Sequence, residues 1–237
     1  MDFSADTSIL EIMHSYLQPF ELAMITNIHT SATYNNAAEH GNDEYLTNYY
    51  VKGSYMDDAL HNTVKYHHID ALKLLLKLGA DNIAYAFSMA ISYNHLDIIK
   101  LLMEIYNFDT DVLDDALPTA VFRGHLDAII LLIKLGAKDL DNAFRIATKV
   151  NNFDAMKLLV QLGAKDLNGA FSSAIYNNRL DTVKVLVELG ANDFESAIDT
   201  VKRQRGNYYD LITYLEICYE RVQDAIYEGD EIVNHFD

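Results

Sequence analysis

The apolar positions of this chain come in short bursts of one design. Each burst opens on an aspartate and places apolar residues at helical spacing, as in DALKLLLKLGA (70–80) and DTVKVLVELGA (181–191). The aspartates close short phrases: His68-Ile69-Asp70, His95-Leu96-Asp97, His125-Leu126-Asp127, Asn152-Phe153-Asp154 and Arg179-Leu180-Asp181. Successive phrases are 27, 30, 27 and 27 residues apart. LIKLGAKDLDNAF (132–144) is repeated almost unchanged as LVQLGAKDLNGAF (159–171). Upstream of each phrase after the first stands an alanine pair: Ala86/Ala90, Ala116/Ala120, Ala143/Ala147 and Ala170/Ala174. Ala59/Thr63 and Ala197/Val201 hold the same places in the flanking units.

Each unit predicts two short helices. In NAFRIATKVN (142–151), Ala143, Phe144 and Ala147 form one narrow apolar face, and small residues there let neighbouring backbones approach. In DAMKLLVQL (154–162) the predicted stripe is Met156, Leu158, Leu159 and Leu162. The opening Asp lies in the first turn, where a negative charge suits the helix dipole. Asp70/Lys73, Asp97/Lys100, Asp154/Lys157 and Asp181/Lys184 are spaced for i,i+3 ion pairs. Gly79, Gly136, Gly163 and Gly190 follow the second helix, where a positive φ commonly ends it, and Asn107 can fill that role in the one unit without a glycine. One such pair has too small a core to stand alone, so the units are expected to stack.

The order of features, an Ala-bearing first helix, a turn with Gly124-His125, then LDAIILLIKLGA (126–137), resembles the ankyrin repeat over roughly residues 55–217. The match is nearest in FRGHLDAIILLIKLGAK (122–138). The departures are informative. The ankyrin period is about 33 residues, the T-P-L-H phrase is missing, and only Lys138 to Asn142 separate Ala137 from Ala143, where an ankyrin carries its β-hairpin finger. The expected fold is an all-α, ankyrin-like α-solenoid of stacked helix-turn-helix repeats without long fingers. Five repeats are expected over 59–196, a degenerate first repeat over 32–58, and a C-terminal capping repeat with an acidic tail over 197–237. Residues 1–31 read as a helical cap, and SILEIMHSYLQPFELAMI within 4–30 resembles the opening of an F-box, which implies an alternative role as a ubiquitin-ligase substrate adaptor. The short repeats are similar to those of ankyrin proteins of giant amoebal DNA viruses, which implies the cytoplasm of an infected host cell.

Composition narrows the chemistry. A hydrophobic content of 50% supports a sizeable core. The net charge of −17 disfavours nucleic acid and anionic lipid as partners. No uncharged apolar run approaches the ~18–20 residues of a membrane span. The single cysteine, Cys218, excludes an intrachain disulfide and fits an intracellular setting. It falls in an apolar stripe with Leu215 and Ile217 and reads as a buried small hydrophobe. His68, His95 and His125 recur at helix starts about 10 Å apart on helix-packing distances, too far to share a zinc with ~2 Å bonds. His67-His68 beside His95 is the one histidine cluster to inspect. Asp109, Asp111, Asp114 and Asp115 lack the glycine and terminal glutamate of a calcium loop and read as a solvated acidic loop. Phosphate-loop, nucleophile-elbow and zinc-protease motifs are absent. The expectation is a non-enzyme without metal or cofactor.

The variable positions carry the functional expectation. Just before each turn stand Lys65/Tyr66, Ser92/Tyr93, Phe122/Arg123, Lys149/Val150, Tyr176/Asn177 and Arg203/Gln204. The ankyrin resemblance implies that these places face a concave groove and contact a protein or peptide partner. They are rich in Tyr, Phe, Arg and Lys although acids outnumber bases 35 to 18, and Tyr and Arg are favoured at interface hot spots. A monomeric protein-interaction scaffold is the reading.

Overall fold

A computed structural model describes residues 31–48, 55–204, 206 and 208–228. The F-box-like segment 4–30 therefore lies outside the described residues. Among those described, every regular element is helical and no strand occurs. The chain divides into two compact units, Met1–Phe108 and Asp109–Asp237, at the point where the 27-residue spacing is interrupted.

The first unit contains α1 (Ser31–Glu39), α2 (Asp43–Asn48), α3 (Tyr55–Lys65), α4 (Ile69–Lys77), α5 (Ile83–Ser92) and α6 (Leu96–Tyr106). The second contains α7 (Thr110–Arg123), α8 (Leu126–Leu135), α9 (Leu140–Lys149), α10 (Phe153–Gln161), α11 (Leu167–Tyr176), α12 (Leu180–Glu188), α13 (Phe194–Arg203) and α14 (Tyr209–Glu228). Odd and even helices pair as hairpins. Within each unit, like stacks on like: α1 on α3 on α5 and α2 on α4 in the first, α7 on α9 on α11 on α13 and α8 on α10 in the second. This nearest-neighbour order is that of a helical-repeat stack.

The alanine pairs explain the close stacking of the odd helices. Ala86, Ala90, Ala120, Ala143 and Ala147 have no exposed surface, and Ala59, Thr63, Ala170, Ala174, Ala197 and Val201 are buried with them. Phe87, Phe144 and Phe171 fill the adjoining positions, and Phe171 meets Phe194 of the next odd helix edge-on, ring centres 5.8 Å apart. The even helices bury a narrower face than their pattern suggests. On α10 it consists of Ala155, Met156 and Leu159. Leu158 is only half-buried and Leu162 is 37% exposed, because the helix stops at Gln161 and Leu162 is its C-cap. Likewise α14 buries Leu211, Leu215 and Cys218 but leaves Ile217 45% exposed.

Four of the even helices, α4, α8, α10 and α12, are closed by the same backbone device. Ala80 N–H donates to the Leu75 carbonyl (3.0 Å) and Gly79 N–H to that of Leu76 (3.1 Å), the paired bonds of a Schellman motif. Gly136, Gly163 and Gly190 repeat it with φ of 122°, 112° and 107°. The left-handed residue at Asn107 (φ 43°) ends α6 in place of a glycine. The odd helices end in the same way on Asn94, Gly124, Asn151 and Asn178, with His67 (φ 62°) in the corresponding place. Asparagine and glycine tolerate this conformation best, so the turn residues follow from backbone chemistry.

The extra three residues before Ala116 form an additional helical turn. α7 starts at Thr110, capped by Asp109, whose carboxylate accepts the Val112 N–H at 3.0 Å. Asp111, Asp114 and Asp115 thus lie in a helix, not in an acidic loop. The i,i+3 ion pairs give way to other partners: Lys157 reaches Glu188 (3.7 Å) and Asp97 is engaged by His67 (2.8 Å).

Candidate functional site

The turns at the two ends of the helix pairs have different chemistry. At the Gly-Ala end, the short segment that replaces a finger is fixed by aspartates. Asp139 and Asp166 cap α9 and α11, each accepting an N–H three residues on. The turn is also held from the preceding pair. Asp114 accepts the Lys138 and Asp139 N–H groups (2.5 and 3.0 Å), and Asp141 accepts those of Lys165 and Asp166 (2.6 and 3.1 Å). These two backbone donors hold the Asp141 carboxyl below the usual carboxylate range. This end is occupied with its own backbone. Asp114 and Asp141 stand 27 residues apart, and that recurrence was the available signal for them.

At the other end, residues at the start of the even helices lace one pair to the one before it. His68 Nε2 donates to the Glu39 carbonyl (2.6 Å), Asn152 Nδ2 to that of Val121 (3.0 Å) and Arg179 Nη1 to that of Lys149 (2.7 Å). A carbonyl only accepts, so His68 must carry its proton on Nε2. His68 is thereby explained as a backbone link between pairs.

Beside this lacing stand the variable residues. Lys65, Tyr66, Tyr93, Phe122, Arg123, Lys149, Tyr176, Asn177 and Arg203 are all exposed, and Ser92 is half-buried. The aromatic rings are open to solvent to an unusual degree: Phe122 is 64% and Tyr176 69% exposed, Tyr66 and Tyr93 40% each. In the first unit, Lys65, Tyr66, Ser92 and Tyr93 end α3 and α5. Lys65 Nζ sits 4.8 Å from the centre of the Tyr66 ring, and its hydrogen bond to Tyr66 raises the ammonium pKa. The Tyr93 ring stacks on His95 at 5.8 Å. In the second unit the row comprises Phe122 and Arg123 on α7, Lys149 on α9, Tyr176 and Asn177 on α11 and Arg203 on α13. Arg203 also pairs with Asp199 at 3.2 Å on its own helix. Open depressions flank α13, one of them lined by Asp199, Thr200 and Arg203.

Other chemistry is accounted for structurally. Burial pushes the Cys218 thiol pKa up, the opposite of what a nucleophile needs. Among the described residues no three His, Cys, Asp or Glu side chains are placed to hold a metal ion. No helix among them is long and apolar enough to cross a membrane.

Comparison with known proteins agrees with this architecture. Residues 60–143 match the model "Ankyrin repeats (3 copies)". The human ASB11 ankyrin repeat domain superposes with a TM-score of 0.55 at 18% identity, covering 78% of this chain and 96% of that one. No curated protein matches the sequence. The class is therefore an all-α stack of helical repeats, similar over residues 60–143 to ankyrin repeats and in its fold to an ankyrin repeat domain.

Proposed function

We propose that this chain is an intracellular protein-interaction scaffold that binds a protein or peptide partner across the ends of its odd helices. Lys65, Tyr66, Ser92 and Tyr93 serve in the first unit, and Phe122, Arg123, Lys149, Tyr176, Asn177 and Arg203 in the second. The reading divides the chain into an N-terminal cap (1–31), a degenerate first repeat (32–58), five repeats (59–196) and a C-terminal capping repeat with its tail (197–237). One observation carries it: a large, solvent-exposed aromatic ring stands at one or other of the two helix-end positions in four of the six pairs, as Tyr66, Tyr93, Phe122 and Tyr176. A stack that needed these positions only for packing would bury them, and one that needed them only for solubility would use charged residues. Rigid aromatic rings give contact area at low entropic cost, and arginine adds directed donors.

The test compares proteins captured from cell lysate by the wild type, by a Tyr93→Ala/Arg123→Ala double variant and by a control changed at exposed Lys73 and Lys100. The proposal expects partners lost from the double variant alone, with urea stability unchanged. Equal capture by all three, or equal loss of binding and stability, refutes it.

A further inference from the structure

One turn departs from the pattern of the others. At the left-handed position that ends each odd helix of a repeat, the chain uses Asn94, Gly124, Asn151 and Asn178, but at the end of α3 it uses His67 with φ 62°. Histidine is, with asparagine, among the non-glycine residues that tolerate this conformation, so what sets this turn apart is its side chain. Its ring makes two contacts within the first unit. Nε2 donates to both carboxylate oxygens of Asp97 at 2.8 Å. The ring also lies 4.5 Å, centre to centre, from that of His95.

His95 is itself the exception among the lacing residues. It occupies the place from which His68 and Asn152 donate to a carbonyl of the preceding pair. It faces the Lys65 carbonyl, which favours a proton on the ring, but its buried Nε2 lacks the close, well-directed hydrogen bond that His68 and Asn152 make. The groups around it are Asp97 on its own helix, Tyr93 at the end of α5, and His67 with the Lys65 carbonyl from the preceding pair. Burial first, and then the neighbouring His67, hold its pKa below the ordinary histidine value, against smaller opposing pulls from Lys65 and Asp97. Asp97 cannot serve both rings well, since its two oxygens are already turned to His67.

We propose that this junction is a proton-sensitive joint: with His95 neutral the α5–α6 pair seats on the α3–α4 pair, and a proton on His95, placed against His67, unseats it. The direction follows from linkage. The folded state disfavours the proton that the unfolded chain accepts at the ordinary histidine value. Stability is therefore full above about pH 6.5 and is lost as pH falls through the folded-state value. Each unit of depression corresponds to a roughly tenfold lower folding equilibrium constant once both states are protonated. Asp97 acts in a separate, more acidic window. Burial pulls its pKa up, but hydrogen bonds from His67 and the Ile98 N–H outweigh burial and leave it low.

The experiment measures urea unfolding of the full chain at about pH 7.5 and about pH 5.5, on either side of the ordinary histidine value. Two variants borrow residues this chain already uses in equivalent places: His95→Asn, as at Asn152, and His67→Asn, as at Asn94, Asn151 and Asn178. Both are thus compatible with the fold. The wild type should lose stability on acidification. His95→Asn should remove the part of that loss due to the joint, and His67→Asn should shrink it, because His95 keeps its burial but loses the second imidazole packed against it. A loss in either variant equal to that of the wild type overturns the proposal. So does a ring-proton titration by NMR that places His95 at or above the ordinary histidine value.

Discussion

Replacing Leu159 with alanine tests how the even helices pack. Leu159 has no exposed surface and shares its face of α10 with the equally buried Ala155 and Met156. The change removes three carbons, worth ~2.4 kcal/mol at about 0.8 kcal/mol per buried CH₂. A residual cavity adds up to ~2 kcal/mol, because packed neighbours collapse only in part. The expected cost is therefore ~2–5 kcal/mol. Leu158 and Leu162 supply internal controls from the same helix and its cap. Leu158 is half-buried, so its truncation should cost about 1 kcal/mol, and the 37% exposed Leu162 less than that. Urea unfolding followed by far-UV circular dichroism measures all three, and an unchanged denaturant slope shows that the differences are in stability. If Leu158→Ala costs as much as Leu159→Ala, or Leu159→Ala is silent, the assigned face is wrong.

Three further outcomes are expected. Ala147→Leu, at a position with no exposed surface between stacked odd helices, should cost about 1–3 kcal/mol by overpacking, measured by the same unfolding assay. Gly79→Ala isolates backbone strain, because φ is 96° and an added Cβ meets nothing within 4 Å; a loss of ~1–2 kcal/mol is expected, and no loss would mean the left-handed turn is not required. Asp141→Ala should release the Lys165–Asp166 turn, seen as faster amide exchange at those two residues. Because the Asp141 carboxyl is held low in the folded state, its contribution is present above the ordinary carboxylate range and disappears as pH falls through the folded value, a pH response that Asp141→Ala should lack.

Much of the fold was legible because it repeats. Ala143/Ala147 and Ala170/Ala174 announce close helix contact whether or not a partner helix is known, and Gly163 announces a chain stop through its lack of a Cβ. The errors came where a pattern on one helix was decided by another. Nothing in KLLVQL distinguishes Leu158 from Leu159 until the neighbouring pair covers one and not the other. DTDVLDD looks like a loop by charge alone, yet Asp109 caps a helix and Asp114 grips the next turn. Such uses of carboxylates depend on backbone N–H groups 24 or 25 residues away, which local spacing does not reveal. The candidate surface was legible as a set of positions, through the contrast between repeated and unrepeated residues. The His67–His95 contact was visible only as a cluster, since its meaning rests on φ at His67 and on a buried nitrogen that lacks a close hydrogen bond.

The proposed binding surface is tested most directly by where a partner touches. Photo-crosslinking residues placed at Tyr93 and Tyr176 probe the helix ends, and the same residue placed at Lys138 and Lys165 probes the short turns at the opposite ends. In cell lysate, adducts should form from Tyr93 and Tyr176 and not from Lys138 or Lys165. Adducts from Lys138 and Lys165 alone would contradict the account and move the interaction to the fingerless turns.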